Sequence, residues 1–388
     1  MGRRIPRCCG RWTSWPSDSV STVCPGGGWP GSARRRGPRH GRRSWPGTVS
    51  CPRCRSLARD LTRPATESGG RPRPVLVVRL DATLIEAASP KAQAAGRYKG
   101  GFGFHPLTSW STNIGDALAV MQRPGNAGLF TAADHIAVGK AALVQIPARW
   151  RTDVLVSIDG AGASHDVIDY LTSLNTAPEH DNRGRRVEYT IGWLLDEQTM
   201  AGIEQLRESD WGAAVDTSGD LDPAAQVADL TGIMRHGPGG DRLATWPRCL
   251  RLIARRTPRP ANKPAKFGEH PDWDYGAFVT STPGGQVQFL DARHRTQAHV
   301  EDRMKQFKAC GARNLPSIDY SRNAAWLQLA ALATSLTAWP RHIGLDGDLA
   351  KASTKTLRFR ILSAPARLVT HSRQRILKIP PGWTGPPT

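Results

Sequence analysis

Three acidic residues in this 388-residue chain stand where a carboxylate can do chemistry. Asp81 follows the apolar run Val75-Leu-Val-Val-Arg-Leu80, and Asp159 follows Val154-Leu-Val-Ser-Ile158. Both runs are short and rich in β-branched residues, the pattern of a buried strand. Each aspartate therefore ends a strand, where the active sites of α/β sheets gather. Glu301 sits beside Val300, Met304 and Phe307, whose spacing predicts a helix over 299–307 with one apolar face. Three carboxylates converging from two strands and a helix offer the hard oxygens that suit two Mg2+ ions, with Mn2+ as a substitute. Such a pair activates a water or a 3′-hydroxyl and stabilises the leaving oxygen in phosphodiester cleavage. Separations of 78 and 142 residues leave the convergence to the fold.

Other side chains could serve the same site. Lys305 lies one turn after Glu301, as a surface ion-pair partner or a phosphate contact, and Lys308 lies two turns on along nearly the same face. His299 is a candidate substrate contact, and His105, His135 and His165 are weaker ones. Arg123 and Asn126, in an Arg-Pro-Gly-Asn turn, are candidates for touching a DNA backbone, as are the basic runs 248–259 and 358–378. Arg79 stands two residues before Asp81, where a haloacid-dehalogenase phosphatase needs its nucleophilic aspartate, so that chemistry is disfavoured. Gly160-Ala-Gly162 lacks the third glycine of a dinucleotide fingerprint and reads as a strand-to-helix turn.

The elements that must position these residues follow in order. Strands are expected over 75–80, 98–104, 115–121, 154–158 and 188–195. A helix over 132–145 should bury Ile136, Ala137, Leu143 and Val144. A second, capped by Ser164, should run to Leu174 with Val167, Ile168 and Leu171 inward. Residues 197–285 read as a partly β insertion, with a hairpin of 275–280 and 286–290 at its end. Helices are expected over 299–307 and 323–339, and a basic amphipathic helix over 356–378. The result is an α/β chain with a split core, 74–196 and 286–380, around the 197–285 insertion.

The charge is uneven. The chain carries 53 Lys+Arg against 33 Asp+Glu, a net of +20, which points to a polyanion, nucleic acid first. Residues 1–73 hold 16 Arg, no Lys and three acids, so this segment carries +13 and the other 315 residues +7. So few large apolar groups occur in 1–73 that disorder is expected there. The segment can be read as a phosphate-gripping arm, or as a weak zinc site using Cys51 and Cys54 with Cys8 and Cys9. A third reading accounts best for Arg without Lys beside Trp, Gly, Pro and Cys: GC-rich DNA translated out of frame. The odd number of irregularly spaced cysteines argues against a secreted disulfide framework, and no apolar run is long enough to span a membrane. The expected setting is intracellular.

Several segments taken together identify a resemblance. Leu80-Asp-Ala-Thr-Leu84, Tyr98-Lys-Gly-Gly-Phe-Gly-Phe-His-Pro-Leu107, Arg123-Pro-Gly-Asn-Ala-Gly128 and Thr131-Ala-Ala-Asp-His-Ile136 come first. Asp159-Gly-Ala-Gly-Ala-Ser-His165, His299-Val-Glu-Asp-Arg303, Asn314-Leu-Pro316, Asn323-Ala-Ala-Trp-Leu327 and Lys355-Thr-Leu-Arg-Phe-Arg360 follow in order. The set resembles the DDE transposases of bacterial insertion sequences, in the thirteen-eighty group of the IS-four-like superfamily, over roughly 74–380. The resemblance implies an RNase H-like mixed sheet flanked by helices, with a mostly β insertion before the last catalytic helix. It implies Asp81, Asp159 and Glu301 as a metal-binding triad that cleaves and joins DNA, and Lys308 as the lysine following the glutamate. The implied partner is double-stranded DNA, both the element's terminal inverted repeats and the target, bound by a homodimer. Three positions depart from the pattern: Arg79 replaces an acid, and His294 and Gln297 stand where the superfamily has Tyr and Arg. The alternative is a decayed remnant that binds DNA without cutting it.

Overall fold

Leu76–Ala82 forms the first core strand, β1, and its alternation sets the geometry around it. Val78 and Leu80 enter one apolar core, so Val77, Arg79 and Asp81 belong to the opposite face. Strands β2 (Leu107–Ser111) and β3 (Ala117–Met121) continue as an antiparallel meander beside β1. On the other side β4 (Asp153–Ile158) pairs parallel to β1, and β5 (Arg186–Trp193) parallel to β4. The order β3-β2-β1-β4-β5, three antiparallel strands followed by two parallel ones, is RNase H-like. The structure, a computed structural model, describes residues 20–22, 75–87, 90–97, 100–128, 131–176, 184–216, 219–237, 241–260, 262, 270–371 and 373–380. Of the Arg-rich segment only Val20–Thr22 is described, as a short strand on the free edge of β3. The disorder and cysteine readings otherwise fall outside the described residues.

The two crossovers are helical. Helix α1 (Ala132–Gln145) leads into β4, and α2 (His165–Ser173) leads towards β5. Ser164 Oγ accepts from Val167 N–H at 3.4 Å, the expected cap, and Val167, Ile168 and Leu171 are buried. The inner face of α1 differs from expectation. Val138, Ala142 and Leu143 are buried with His135, while Val144 is 69% exposed. Ile136 and Ala137 pack against the core as expected, and the His135 ring, inside, pairs its Nδ1 with the Thr131 carbonyl at 3.0 Å.

The insertion is part of the same sheet. After α3 (Glu197–Glu204) come β6 (Gly212–Val215), β7 (Leu221–Asp229), α4 (Thr231–His236), β8 (Arg251–Pro258) and β9 (Trp273–Thr280). All four strands are antiparallel, and β9 joins them to the core through β5, giving the order β5-β9-β8-β7-β6. The expected hairpin of 275–280 with 286–290 does not form. β9 pairs with β8 and β5 instead, and Val287–Arg295 is a helix, α5. A five-residue segment such as Gln-Val-Gln-Phe-Leu does not distinguish the two states, and Val287 and Leu290, one turn apart, both pack against the insertion's strands.

The opposite face of the core is covered by α6 (His299–Phe307) and α7 (Tyr320–Ile343). Val300, Met304 and Phe307 of α6 and Leu327, Ala330 and Ala331 of α7 pack against Phe104, Trp110 and Val120. Trp110 and Phe307 meet edge to face at 5.7 Å. Short strands Ile85–Glu86, Ala95–Gly96 and Phe102–Phe104 form a small separate sheet; Tyr98 and Lys99 of the expected 98–104 strand lie outside the described residues.

The basic amphipathic helix expected over 356–378 is also absent. Thr354–Leu357 and a wide turn over Arg358–Leu362 end before Pro365, and the chain then forms a hairpin of β10 (Arg367–His371) and β11 (Gln374–Lys378). Pro365 cannot continue a helix, and Leu-Val-Thr and Ile-Leu prefer strands in its place.

Candidate active site

The parallel register of β1 and β4 pairs Leu80 with Ile158, so the next residues, Asp81 and Asp159, leave neighbouring strands side by side. Leu80 and Ile158 both enter the α1–α2 core. By alternation the two aspartates belong to the other face, the one covered by α6 and Glu301. The turn after Asp159 is held tight by two glycines. A Cβ on Gly192 would lie 2.7 Å from the Gly160 nitrogen, and one on Gly162 would lie 2.4 Å from the Ile158 side chain. The strand-to-helix turn reading of Gly160–Gly162 therefore holds.

Electrostatics tie the acids together. The Asp81 carboxyl, which accepts from Ala82 N–H at 2.8 Å, is pushed up to about 7. Burial is the largest cause and the Asp159 charge the next; the Ala82 bond opposes them, Glu301 adds to them, and Lys308 opposes them. Three charged groups thus act on one half-buried carboxyl. Asp159 and Glu301 are themselves exposed. Among the described residues no three His, Cys, Asp or Glu side chains stand close enough to hold an ion as they are placed.

Arg79, one of the departures from the family pattern, is the anchor between the sheet and the glutamate helix. It is 3% exposed. Its guanidinium donates to Thr112 Oγ1 (2.8 Å), Ser157 Oγ (3.1 Å), Gln297 Oε1 (3.0 Å) and Thr296 Oγ1 (2.6 Å). Ser157 Oγ also donates to Gln297 Oε1 at 2.7 Å, and Gln297 Nε2 donates to Leu80 O at 3.3 Å. Arg79 and Gln297, two of the three departures, are therefore in direct contact, next to Asp81 and Asp159 in sequence or register. Burial pulls the Arg79 guanidinium down to about 10. The third departure, His294, stacks on Phe278 at 4.4 Å, and its Nδ1 pairs with Thr190 Oγ1 at 2.8 Å. Burial, with the Arg79 and Arg293 charges, drives His294 to about 4, so it is neutral at physiological pH. Single-sequence reading flags these three positions as odd but cannot pair residues 218 apart.

A groove of about 840 Å³ is lined by Leu84, three residues after Asp81, and by Lys305, one turn after Glu301, though by none of the three acids themselves. Its cations are Lys305 and Lys308 from the glutamate helix and its extension, Arg313, and Lys355 and Arg358 from the C-terminal segment. Its acid, Glu86, is paired with Arg97 at 3.1 Å. Lys305 and Lys308, both candidates from the sequence, thus line one groove. Arg313, Lys355 and Arg358 carried no individual reading in the sequence, although Lys355–Arg360 belongs to the resembling set.

The remaining candidates are placed differently. Arg123 is 3% exposed and turned inward: its Nε donates to His105 O at 3.0 Å and its Nη1 to Asp134 at 3.3 Å. It holds its turn together and offers no cation to solvent, while Asn126 in the same turn is exposed. His299 is exposed at the start of α6. His105 and His135 are buried with backbone partners, and both feel the Asp159 charge, though burial dominates and lowers their basicity. His165 stacks on Trp246 at 3.7 Å. The run 248–259 is largely neutralised by acids of the insertion and of α5. Arg251 pairs with Asp229 at 2.7 Å, Arg255 with Asp291, Arg256 with Glu208, and Arg259 with Asp274 at 2.9 Å. Arg256 also lies over the rings of Trp211 and Trp273, 4.5 and 4.4 Å from their centres.

A family model described as "Transposase DDE domain group 1" matches residues 42–385. The chain belongs to the DDE transposase domain family. The match begins inside the Arg-rich segment and runs through the C-terminal hairpin. No curated protein matches the chain. Among solved structures, the piggyBac transposase in a cryo-EM synaptic complex with hairpin DNA is similar at 9% identity with a TM-score of 0.40. The similarity covers 69% of this chain and 47% of that one. For this DDE transposase domain, the RNase H-like order of the sheet and the family match agree, and no described helix is long and apolar enough to cross a membrane.

Proposed function

We propose that the chain cleaves DNA at the ends of a mobile element and joins the resulting 3′-hydroxyls to target DNA, with Asp81, Asp159 and Glu301 as its catalytic acids. One observation carries the reading. The two aspartates leave adjacent parallel strands on the face under the Glu301 helix, and burial, reinforced by the Asp159 and Glu301 charges, raises Asp81 to about 7. Three carboxylates offer hard oxygen donors that fit Mg2+ or Mn2+, and a crowded, partly buried carboxyl is one that a divalent cation would relieve. Asp81 and Glu301 would hold one ion and Asp159 would contact two. When bound, such ions supply an activated water or 3′-hydroxyl and a stabilised leaving oxygen.

The chain's own residues do the rest. Arg79, through Thr296 and Gln297, fixes the turn from which the Glu301 helix starts. Lys308 faces the groove and the Asp81 charge, and neutralises phosphate oxygens next to the acids. Lys305 extends that contact along the helix. The partner is double-stranded DNA, both terminal repeats and target, and a homodimer would bring two ends together.

The test is the full chain incubated with Mg2+ and a plasmid carrying the element's terminal repeats. Nicking at the repeats with a free 3′-hydroxyl is expected, and Asp159→Asn should abolish it with DNA binding retained. Tight but salt-sensitive binding that shows no preference for the repeats and no cleavage would instead identify a decayed remnant.

A further inference from the structure

The hairpin β10–β11 is exposed along nearly its whole length: of its strand residues only Val369 is half-buried. A lone two-stranded hairpin is marginal in water and needs something to pack on. This one also shows apolar side chains to solvent, with Leu368 61%, Leu377 51% and Ile376 36% exposed. What covers it is indicated by charge. Arg367, Arg373, Arg375 and Lys378 lie on or between its strands, and no Asp or Glu occurs in the sequence after Asp348. Among the described residues none of these four cations is held in an ion pair.

We infer that the hairpin is a DNA-binding ribbon that enters the major groove of the duplex beyond the cleavage site. Three observations select this occupant. The distribution of side chains is the first. The cross-strand pairs Arg367–Lys378 and Val369–Ile376 share one face, while Leu368–Leu377 and Thr370–Arg375 share the other. Each face therefore carries a cation and an apolar pair. A ribbon lying flat on a lipid surface would separate the two classes, whereas one inserted between two phosphate-lined walls needs cations on both sides. The major groove is about 12 Å wide and admits a two-stranded ribbon, with thymine methyls as apolar contacts inside it. Position is the second. The hairpin begins at Arg367, shortly after Lys355 and Arg358, which share a groove with Lys308, so the run of cations continues along the chain from that groove into the ribbon. Net charge is the third. Even without the Arg-rich segment the chain carries +7, so a second copy would meet this hairpin with net like charge, which disfavours self-association through it.

The inference rests on DNA as the partner but not on cleavage, so the test reads binding. The full chain carrying Asp159→Asn is titrated with a short fluorescent duplex over a series of salt concentrations. The same is done after adding Arg367→Gln, Arg373→Gln, Arg375→Gln and Lys378→Gln, with circular dichroism confirming unchanged folding. Neutralising the ribbon should weaken duplex binding by at least about 10-fold near ~0.15 M salt and flatten the salt dependence by about 2–4 in log–log slope. The pair Leu368→Ser and Leu377→Ser should weaken duplex binding with the salt slope unchanged. Equal affinity and slope with and without the four cations overturns the inference while leaving the proposed function standing. If the parent chain binds no duplex at all, the proposed function fails first. Sedimentation showing that the four substitutions dissolve a dimer, with duplex binding intact, would make the ribbon a subunit contact instead. Binding of the parent chain to phosphatidylcholine–phosphatidylserine vesicles through the ribbon, in preference to duplex, would also overturn it.

Discussion

Asp81→Asn should make the metal-free protein more stable, and increasingly so as pH rises. Asp81 in the folded chain titrates near 7 against 3.8 for an unperturbed carboxyl, a difference of about three units. Each unit is about 1.4 kcal/mol, so the ionised group costs the fold about 4 kcal/mol once both states are deprotonated. The sign follows from where the proton sits. Below about pH 4 both folded and unfolded chains hold it; between about 4 and 7 only the folded chain does, so stability falls as pH rises through that window and levels off above it. Asp116, buried and also raised to about 7 with Trp339 Nε1 donating to it, adds a second fall in the same window. The substitution removes only the Asp81 part and keeps an oxygen to accept from Ala82 N–H. Urea denaturation in EDTA should give a gap between variant and wild type that is small near about pH 4.5 and grows towards about 4 kcal/mol by about pH 8. Excess Mg2+ at about pH 8 should return about 2–3 kcal/mol to wild type at a hundredfold excess over its dissociation constant, and little to the variant. A gap that does not change with pH, or a variant less stable than wild type throughout, would refute the crowded-carboxylate reasoning.

Arg79→Met should leave stability within about 1–2 kcal/mol, because the guanidinium's desolvation of about 3 kcal/mol is offset by four hydrogen bonds of about 1 kcal/mol each. Strand cleavage should nevertheless fall by at least about 10-fold, since the Glu301 helix loses its tie to β1, and Arg79→Lys should not restore it because the fork is lost. Gly192→Ala, whose Cβ has only the Gly160 backbone to meet, should cost about 1–3 kcal/mol in a urea melt and lower cleavage together with it. Arg256→Ala should destabilise the insertion by about 1–3 kcal/mol through lost stacking on Trp211 and Trp273, with no change in the salt dependence of duplex binding. Lys308→Gln should weaken binding of cleavable duplex and flatten its salt slope by about 1.

Much of the core was legible because its signals are local. The runs ending at Asp81 and Asp159 are strands, Ser164 caps its helix, and Val300, Met304 and Phe307 form the buried stripe of α6 as their spacing predicts. The errors fall where local pattern is ambiguous or where a distant partner decides. Residues 286–290 could extend as a strand or coil as a helix, and packing of Val287 and Leu290 chose the helix. Arg123 looks like a surface cation until Asp134 and the His105 carbonyl claim it. The arginines of 248–259 look like a phosphate patch until acids from four other segments neutralise them. Arg79 looks like a lost acid, and only the fold shows that Gln297 and Thr296 meet it.

The central claim is that Glu301 joins Asp81 and Asp159 in one metal-binding centre. Titration of the full chain with Mn2+, followed by electron paramagnetic resonance of the free ion, tests it without requiring turnover. Wild type should bind about two ions, and Glu301→Gln should lose or strongly weaken one of them, as Asp81→Asn should. Glu301→Gln binding Mn2+ with wild-type stoichiometry and affinity would contradict the account.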